Sequence, residues 1–230
     1  MDRRLPEKIK EYDNVDTVII SNAGANVFGL KHTIGQLVQE NKFTEIRVIT
    51  HDNCGAMKLV TQHLFEMKRT PSNIYVHLVR QFENKVHKAV EMDSVNERLE
   101  KERIEVMVKG VKVQSEMIKI HSLGIPKDMM EQRKEGYHLI VSKPVFGGYK
   151  RLLEQTKLKR YSSYVILGYG DELINDIEIA VSELGVTDIY FVIQNENEKR
   201  ITEKYRDFVK ISIRRAEINN RREVKTLVVQ

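Results

Sequence analysis

The chain has 230 residues, 41% hydrophobic and 31% charged, with a net charge of +5 and a sequence pI near 9.1. This composition suits one large α/β domain or two small units with a real core. No run of 18 apolar residues is present to span a membrane, no apolar stretch follows Met1-Asp2-Arg3-Arg4-Leu5-Pro6 to form a secretory signal, and a lone cysteine, Cys54, excludes an intrachain disulfide framework.

In chain order, Thr17-Val18-Ile19-Ile20 is a β-branched run that predicts a strand, stopped by the turn signal Asn22-Ala23-Gly24. A helix is expected over 30–40, with Ile34, Leu37 and Val38 on one face, followed by a strand at Ile46-Arg47-Val48-Ile49. Residues 94–120 read as a helix, with Leu99, Ile104, Met107, Val108 and Val111 at three- and four-residue spacing and Gly110 weakening its middle. Asp93 or Ser94 can cap its start, and Leu123-Gly124-Ile125-Pro126 ends it. The apolar stripe on this helix is read as core or an oligomer contact. A second set follows: a strand at His138-Leu139-Ile140-Val141-Ser142, another at Tyr164-Val165-Ile166-Leu167, a turn at Gly168-Tyr169-Gly170, a helix over 173–184 and a strand at Ile189-Tyr190-Phe191-Val192-Ile193. Thr226-Leu227-Val228-Val229 is an expected edge strand.

Strands alternating with helices imply a mainly parallel α/β sheet flanked by helices, in which 17–20 and 46–50 pair in parallel. In such sheets the chemistry gathers at the carboxyl ends of strands, where Asn22-Ala23-Gly24 and His51–Cys54 both fall. The two strand–turn–helix–strand segments also match upstream without a gap, Arg3-Arg4-Leu5 against Lys150-Arg151-Leu152 and Thr17-Val18-Ile19-Ile20 against Tyr164-Val165-Ile166-Leu167. They are either tandem copies or two βαβ units obeying the same patterning rules. The expected division is a first unit at 1–92, a helical connector at 93–136 and a second unit at 137–230.

His51-Asp52-Asn53-Cys54-Gly55 is the sharpest local signal. Imidazole and thiolate both suit Zn²⁺, and a three-residue spacing at a strand end lets both side chains reach one ion. Three ordered motifs, Asp2-Arg3-Arg4, Ser21-Asn22-Ala23-Gly24-Ala25 and His51-Asp52-Asn53-Cys54-Gly55, make residues 1–60 resemble the β-class carbonic anhydrases. The resemblance implies that His51 and Cys54 are two zinc ligands, that Asp2 is a catalytic carboxylate held by Arg4, and that Asn22, Ala23 and Gly24 line a small substrate pocket. It further implies a zinc-bound water acidified to near neutrality, whose hydroxide converts CO₂ to bicarbonate. A close relative acting on another small linear substrate, COS or CS₂, fits the same residues.

The family's first ligand is a cysteine two residues before the aspartate, a position just ahead of Met1. Either an upstream start restores a strand and that cysteine, or the chain is a degenerate relative serving as a scaffold or interaction protein, with zinc weak or absent. In the second segment Gln194 and Asn197 stand where His51 and Cys54 would, so that half is expected to be metal-free, a built-in pseudo-dimer mate, with a homo-oligomer as the other arrangement. Basic residues concentrate only at Lys157-Leu158-Lys159-Arg160, Arg214-Arg215 and Arg221-Arg222, read as solvated helix ends or tail. Nucleic acid is therefore a disfavoured partner, no membrane partner is expected, and cytoplasm is the expected compartment.

Overall fold

A computed structural model describes residues 2–66, 75–126, 137–144, 146–156, 163–168, 173–193, 195–200, 202, 203, 206, 210, 214 and 225–229. In chain order its elements are α1 (Pro6–Ile9), α2 (Lys31–Glu40), β1 (Glu45–His51), α3 (Gly55–Glu66), α4 (Tyr75–Arg80), α5 (Met92–Met107), β2 (Lys112–Ile118), β3 (Tyr137–Ser142), α6 (Tyr149–Gln155), β4 (Ser163–Leu167), α7 (Leu173–Glu183), β5 (Val186–Val192) and β6 (Lys225–Val229). The protein is α/β, with short parallel sheets and helices between the strands. It divides into two compact units, residues 1–22 with 125–230, and residues 23–124. This division cuts across the sequential segments 1–92, 93–136 and 137–230.

The unit formed by 1–22 and 125–230 carries a four-stranded parallel sheet in the order β4-β3-β5-β6. Alternation along the strands sends Tyr137, Leu139 and Val141 of β3, Ile166 of β4, and Ile189 and Phe191 of β5 to one face. There they meet Leu173, Ile177, Ala180 and Val181 of α7, spaced as one helical stripe. Ile140, Val165, Leu167 and Val192 are buried as well, so the strands are apolar on both faces, as parallel strands between helices must be. The expected strands at 164–167 and 189–193, the helix near 173–184 and the edge strand near 226–229 all form here.

Residues 17–20 do not form the expected strand. Val18 and Ser21 make isolated antiparallel bridges instead, to Phe146 and Leu167. The Ser21 N–H donates to the Leu167 carbonyl (3.1 Å), Leu167 N–H returns to Ser21 (2.8 Å), and Ser21 Oγ donates to the Val165 carbonyl (2.9 Å). β propensity at Val18-Ile19-Ile20 is therefore spent on closing the end of β4, because a strand needs a neighbour along its length and two bridges do not supply one. The expected parallel partner of 46–50 is 17–20; the ladder of β1 runs instead to β2 over its whole length, Glu45 opposite Lys112 to His51 opposite Ile118.

The segment before α6 shows how the N-terminal residues are tied down. Gly148 caps α6 without a side-chain hydrogen bond. Asp13 fills that role, accepting the Tyr149 and Lys150 N–H groups at 3.2 and 2.9 Å. A carboxylate there satisfies exposed donors and opposes the positive helix end.

In residues 23–124, β1 and β2 pair in parallel and α5 lies between them in sequence and against both. The expected helix over 94–120 is thus too long. It ends at Met107, Val108 is extended (φ −119°, ψ 112°), and Gly110 takes φ +80°, a left-handed conformation open to glycine. Beyond it Val111, Val113, Ser115 and Met117 alternate with polar residues, a period of two that the charge-rich composition concealed. Among the described residues no helix is long and apolar enough to cross a membrane. The basic residues 157–160, Arg215, Arg221 and Arg222 lie outside the described residues, as do Tyr169 and Gly170; Arg214 is exposed.

Candidate functional site

β1 delivers His51 to its carboxyl end, where the residue is buried. His51 Nδ1 lies 2.9 Å from the Asp52 carbonyl, which can only accept, so Nδ1 carries a proton and Nε2 is the nitrogen that can ligate when the ring is neutral. That is the arrangement a ligating imidazole adopts when a backbone carbonyl orients it. Asp52 ties the two strand ends together: its N–H donates to the Ile118 carbonyl (3.1 Å) and its Oδ1 accepts the Ile120 N–H (2.7 Å). Asn53 turns the chain through φ +53°, and Cys54, also buried, precedes α3, its carbonyl accepting the Lys58 N–H at 2.8 Å.

The turn Ala23–Ala25 lies against the first turn of α3, just after that loop. Gly24 has φ +66°, and a Cβ there would come within 2.8 Å of Met57 Cε and 3.7 Å of Ala56 Cβ, both in the first turn of the helix after Cys54. Glycine at 24 is what permits the approach. Ala25, at φ +56°, holds the same left-handed conformation at a cost of roughly 1 kcal/mol. So the structure seats the Gly24 turn on the first turn of α3, the helix that follows the His51–Cys54 loop, within one unit.

Both loops are held by α5. Asp93 Oδ2 accepts the Asn53 N–H at 2.9 Å, Asn96 Nδ2 donates to the Gly24 carbonyl at 2.9 Å, and Glu100 Oε2 accepts the Val27 N–H at 2.8 Å. Burial holds the Asp93 carboxyl above the usual carboxylate range, against the pull of hydrogen bonds from the Asn53 and Cys54 amides and the charge of His51. Sequence reasoning predicted this helix, with Asp93 as a possible cap and its stripe as core or an oligomer contact, but missed its hold on the two loops. The available signal was polar: Asp93, Asn96 and Glu100 recur at helical spacing beside Met92, Val95 and Leu99, and a buried Asn and Glu in an apolar stripe need partners.

Glu100 is fully buried, and burial pushes its carboxyl up to about 7, although Arg103, the Val27 N–H and Lys85 favour its charged form. Arg103 pairs with it and reaches Gln81 at 2.7 Å. A carboxyl whose folded pKa is raised contributes stability in full below its ordinary value and loses it as the pH climbs toward 7. Unfolding free energy measured from pH 5 to 8 should therefore fall by about 3 kcal/mol more in the native chain than in Glu100→Gln. Parallel pH profiles for the two would show that burial does not dominate at this carboxyl.

In the other unit, Asp2 and Arg4 form a bidentate pair: Arg4 Nε to Asp2 Oδ1 at 2.8 Å and Arg4 Nη2 to Oδ2 at 2.9 Å, with the Arg4 N–H also on Oδ1 at 2.9 Å. Charge-assisted bonds in this fork geometry fix the carboxylate firmly. Between them, Arg3 is buried with its guanidinium 4.8 Å from the centre of the Tyr137 ring. Burial, together with the charge of Asp2, pushes the Tyr164 hydroxyl well above its ordinary pKa. Asn22, buried, is the last residue of this N-terminal stretch. Gln194 lies outside the described residues, and Asn197 is exposed on the helical residues 196–200.

Compared with known proteins, the chain matches no family model, no curated protein and no solved structure. His51 and Cys54 are two donors, and among the described residues no group of three or more His, Cys, Asp or Glu side chains is placed to hold one metal ion. Structural zinc sites use four protein ligands and catalytic ones three, so this donor set does not make up a zinc site by itself.

Proposed function

We propose that the chain is a β-carbonic anhydrase-like protein with an incomplete zinc site, able to hydrate CO₂ reversibly only when a third donor joins His51 and Cys54. The observation that carries this reading is the seating of the Gly24 turn on Ala56 and Met57, directly after Cys54. Two motifs 27 residues apart in sequence (Gly24 and His51) thereby share one corner of one unit, as a pocket wall and a donor pair would have to. The Asp2–Arg4 fork is consistent with the role of a carboxylate held by arginine. The tandem-unit reading keeps only α2–β1 and α7–β5 as corresponding helix–strand pairs, since 17–20 does not form the strand that would match β4. In that reading the second half is a metal-free, pseudo-dimer partner in a cytoplasmic protein.

With two donors, zinc affinity and fixed geometry both suffer. The donor count favours a second reading for the 230 residues taken alone, that of a non-catalytic member of the fold serving as a scaffold. Metal analysis and stopped-flow CO₂ hydration separate the two. A chain extended upstream by an apolar strand and a cysteine two residues before Asp2 is expected to take up zinc and gain activity. If the extended chain stays inert despite full zinc occupancy, the scaffold reading stands.

A further inference from the structure

We propose that Asp93, Asn96 and Glu100 are positioning residues, through which α5 holds the Ala23–Ala25 turn and the His51–Cys54 loop in register before any metal binds. The three side chains stand at one helical spacing and reach three backbone groups in two loops that are remote in sequence. Each contact answers a local need. Asn53 is left-handed, and Asp93 takes its N–H; Gly24 is left-handed, and Asn96 takes its carbonyl. Val27, just past the turn, gives its N–H to Glu100, which Arg103 anchors in turn. A 16-residue helix packed against β1 and β2 is a better platform than either loop, and precise sites are built on such elements. The loop geometry is therefore set by α5, and an ion would meet donors already placed.

Cys54 is the chain's only cysteine and is buried, so its alkylation in the metal-free protein reports opening of this corner without interference. Asp93 is partly exposed, which makes its replacement tolerable to the fold. Iodoacetamide should label Cys54 about tenfold faster in Asp93→Ala than in the native chain. Asp93→Asn, which keeps one acceptor oxygen, should stay within about threefold. Asn96→Ala should also accelerate labelling, by releasing the Gly24 turn from α5. If Asp93→Ala loses its far-ultraviolet dichroism, Asn96→Ala against Asp93→Asn carries the comparison. A native labelling rate in every alanine variant that folds would overturn the proposal. The zinc reading is tested separately with Co²⁺ on the same proteins. A thiolate-to-cobalt band in the native chain with unchanged labelling in the variants sinks the positioning role alone. Accelerated labelling without any such band leaves that role standing and removes the zinc reading.

Discussion

Gly147→Ala should lower the stability of the chain by about 2–5 kcal/mol, one of the largest single losses outside the core. Gly147 sits at φ +50°, where an L side chain costs roughly 1–2 kcal/mol. A Cβ there would also lie 2.8 Å from the Asn14 carbonyl oxygen and 2.8 Å from Val15 Cα, both backbone atoms that cannot swing aside. Overpacking of that kind costs about 1–3 kcal/mol more. The loop cannot relax cheaply, because the Gly147 N–H donates to the Thr17 carbonyl at 3.0 Å and Asp13 grips the first turn of α6. Thermal unfolding is the check. For a protein of this size the melting temperature should drop by about 5–15 °C. Gly35→Ala is the contrast: it lies inside α2 with nothing within 4 Å of its Cβ position, and should stabilise by about 0.5–1 kcal/mol. A Gly147→Ala variant as stable as the native chain would mean that residues 13–18 are not held against the β3–α6 loop.

Cys54→Ser and His51→Ala carry the other large effect, on metal binding. In the two-donor set proposed above, neither residue has a deputy. Either change should weaken Co²⁺ or Zn²⁺ binding by far more than the ~10–100-fold produced by losing an outer partner of a ligand. Cys54→Ser should in addition erase the thiolate-to-cobalt band, whereas His51→Ala should leave a weak one. Titration with Co²⁺ measures both. Binding unchanged in both variants would place the metal elsewhere in the chain.

Much of the fold was legible because its elements are periodic. Ile34, Leu37 and Val38 announced α2, and the β-branched runs at 46–49, 138–142, 164–167 and 189–193 announced β1, β3, β4 and β5. What failed did so for stated reasons. Val18-Ile19-Ile20 has strand propensity, but propensity does not supply a neighbour, and the segment closes onto Phe146 and Leu167 instead. Lys112 to Ile118 was absorbed into a helix because Glu- and Lys-rich sequence masks a period of two, and Gly110 at φ +80° was weighed as a weak point and not as a stop. In the candidate site the local motifs could be read, His51, Cys54 and Gly24 by residue type and order. The helix was legible too, but its hold on them was not, because the contacts of Asp93, Asn96 and Glu100 run to backbone groups far off in sequence. No pattern of spacing encodes such partners.

The central claim is that His51 and Cys54 form a donor pair one ligand short of a zinc site. Zinc content of the purified 230-residue chain, measured beside its Cys54→Ser variant after removal of loosely held metal, tests it most directly. The account predicts occupancy well below one zinc per chain in the native form and none above background in the variant. Stoichiometric zinc that survives in the native chain, or equal zinc in both, would contradict it.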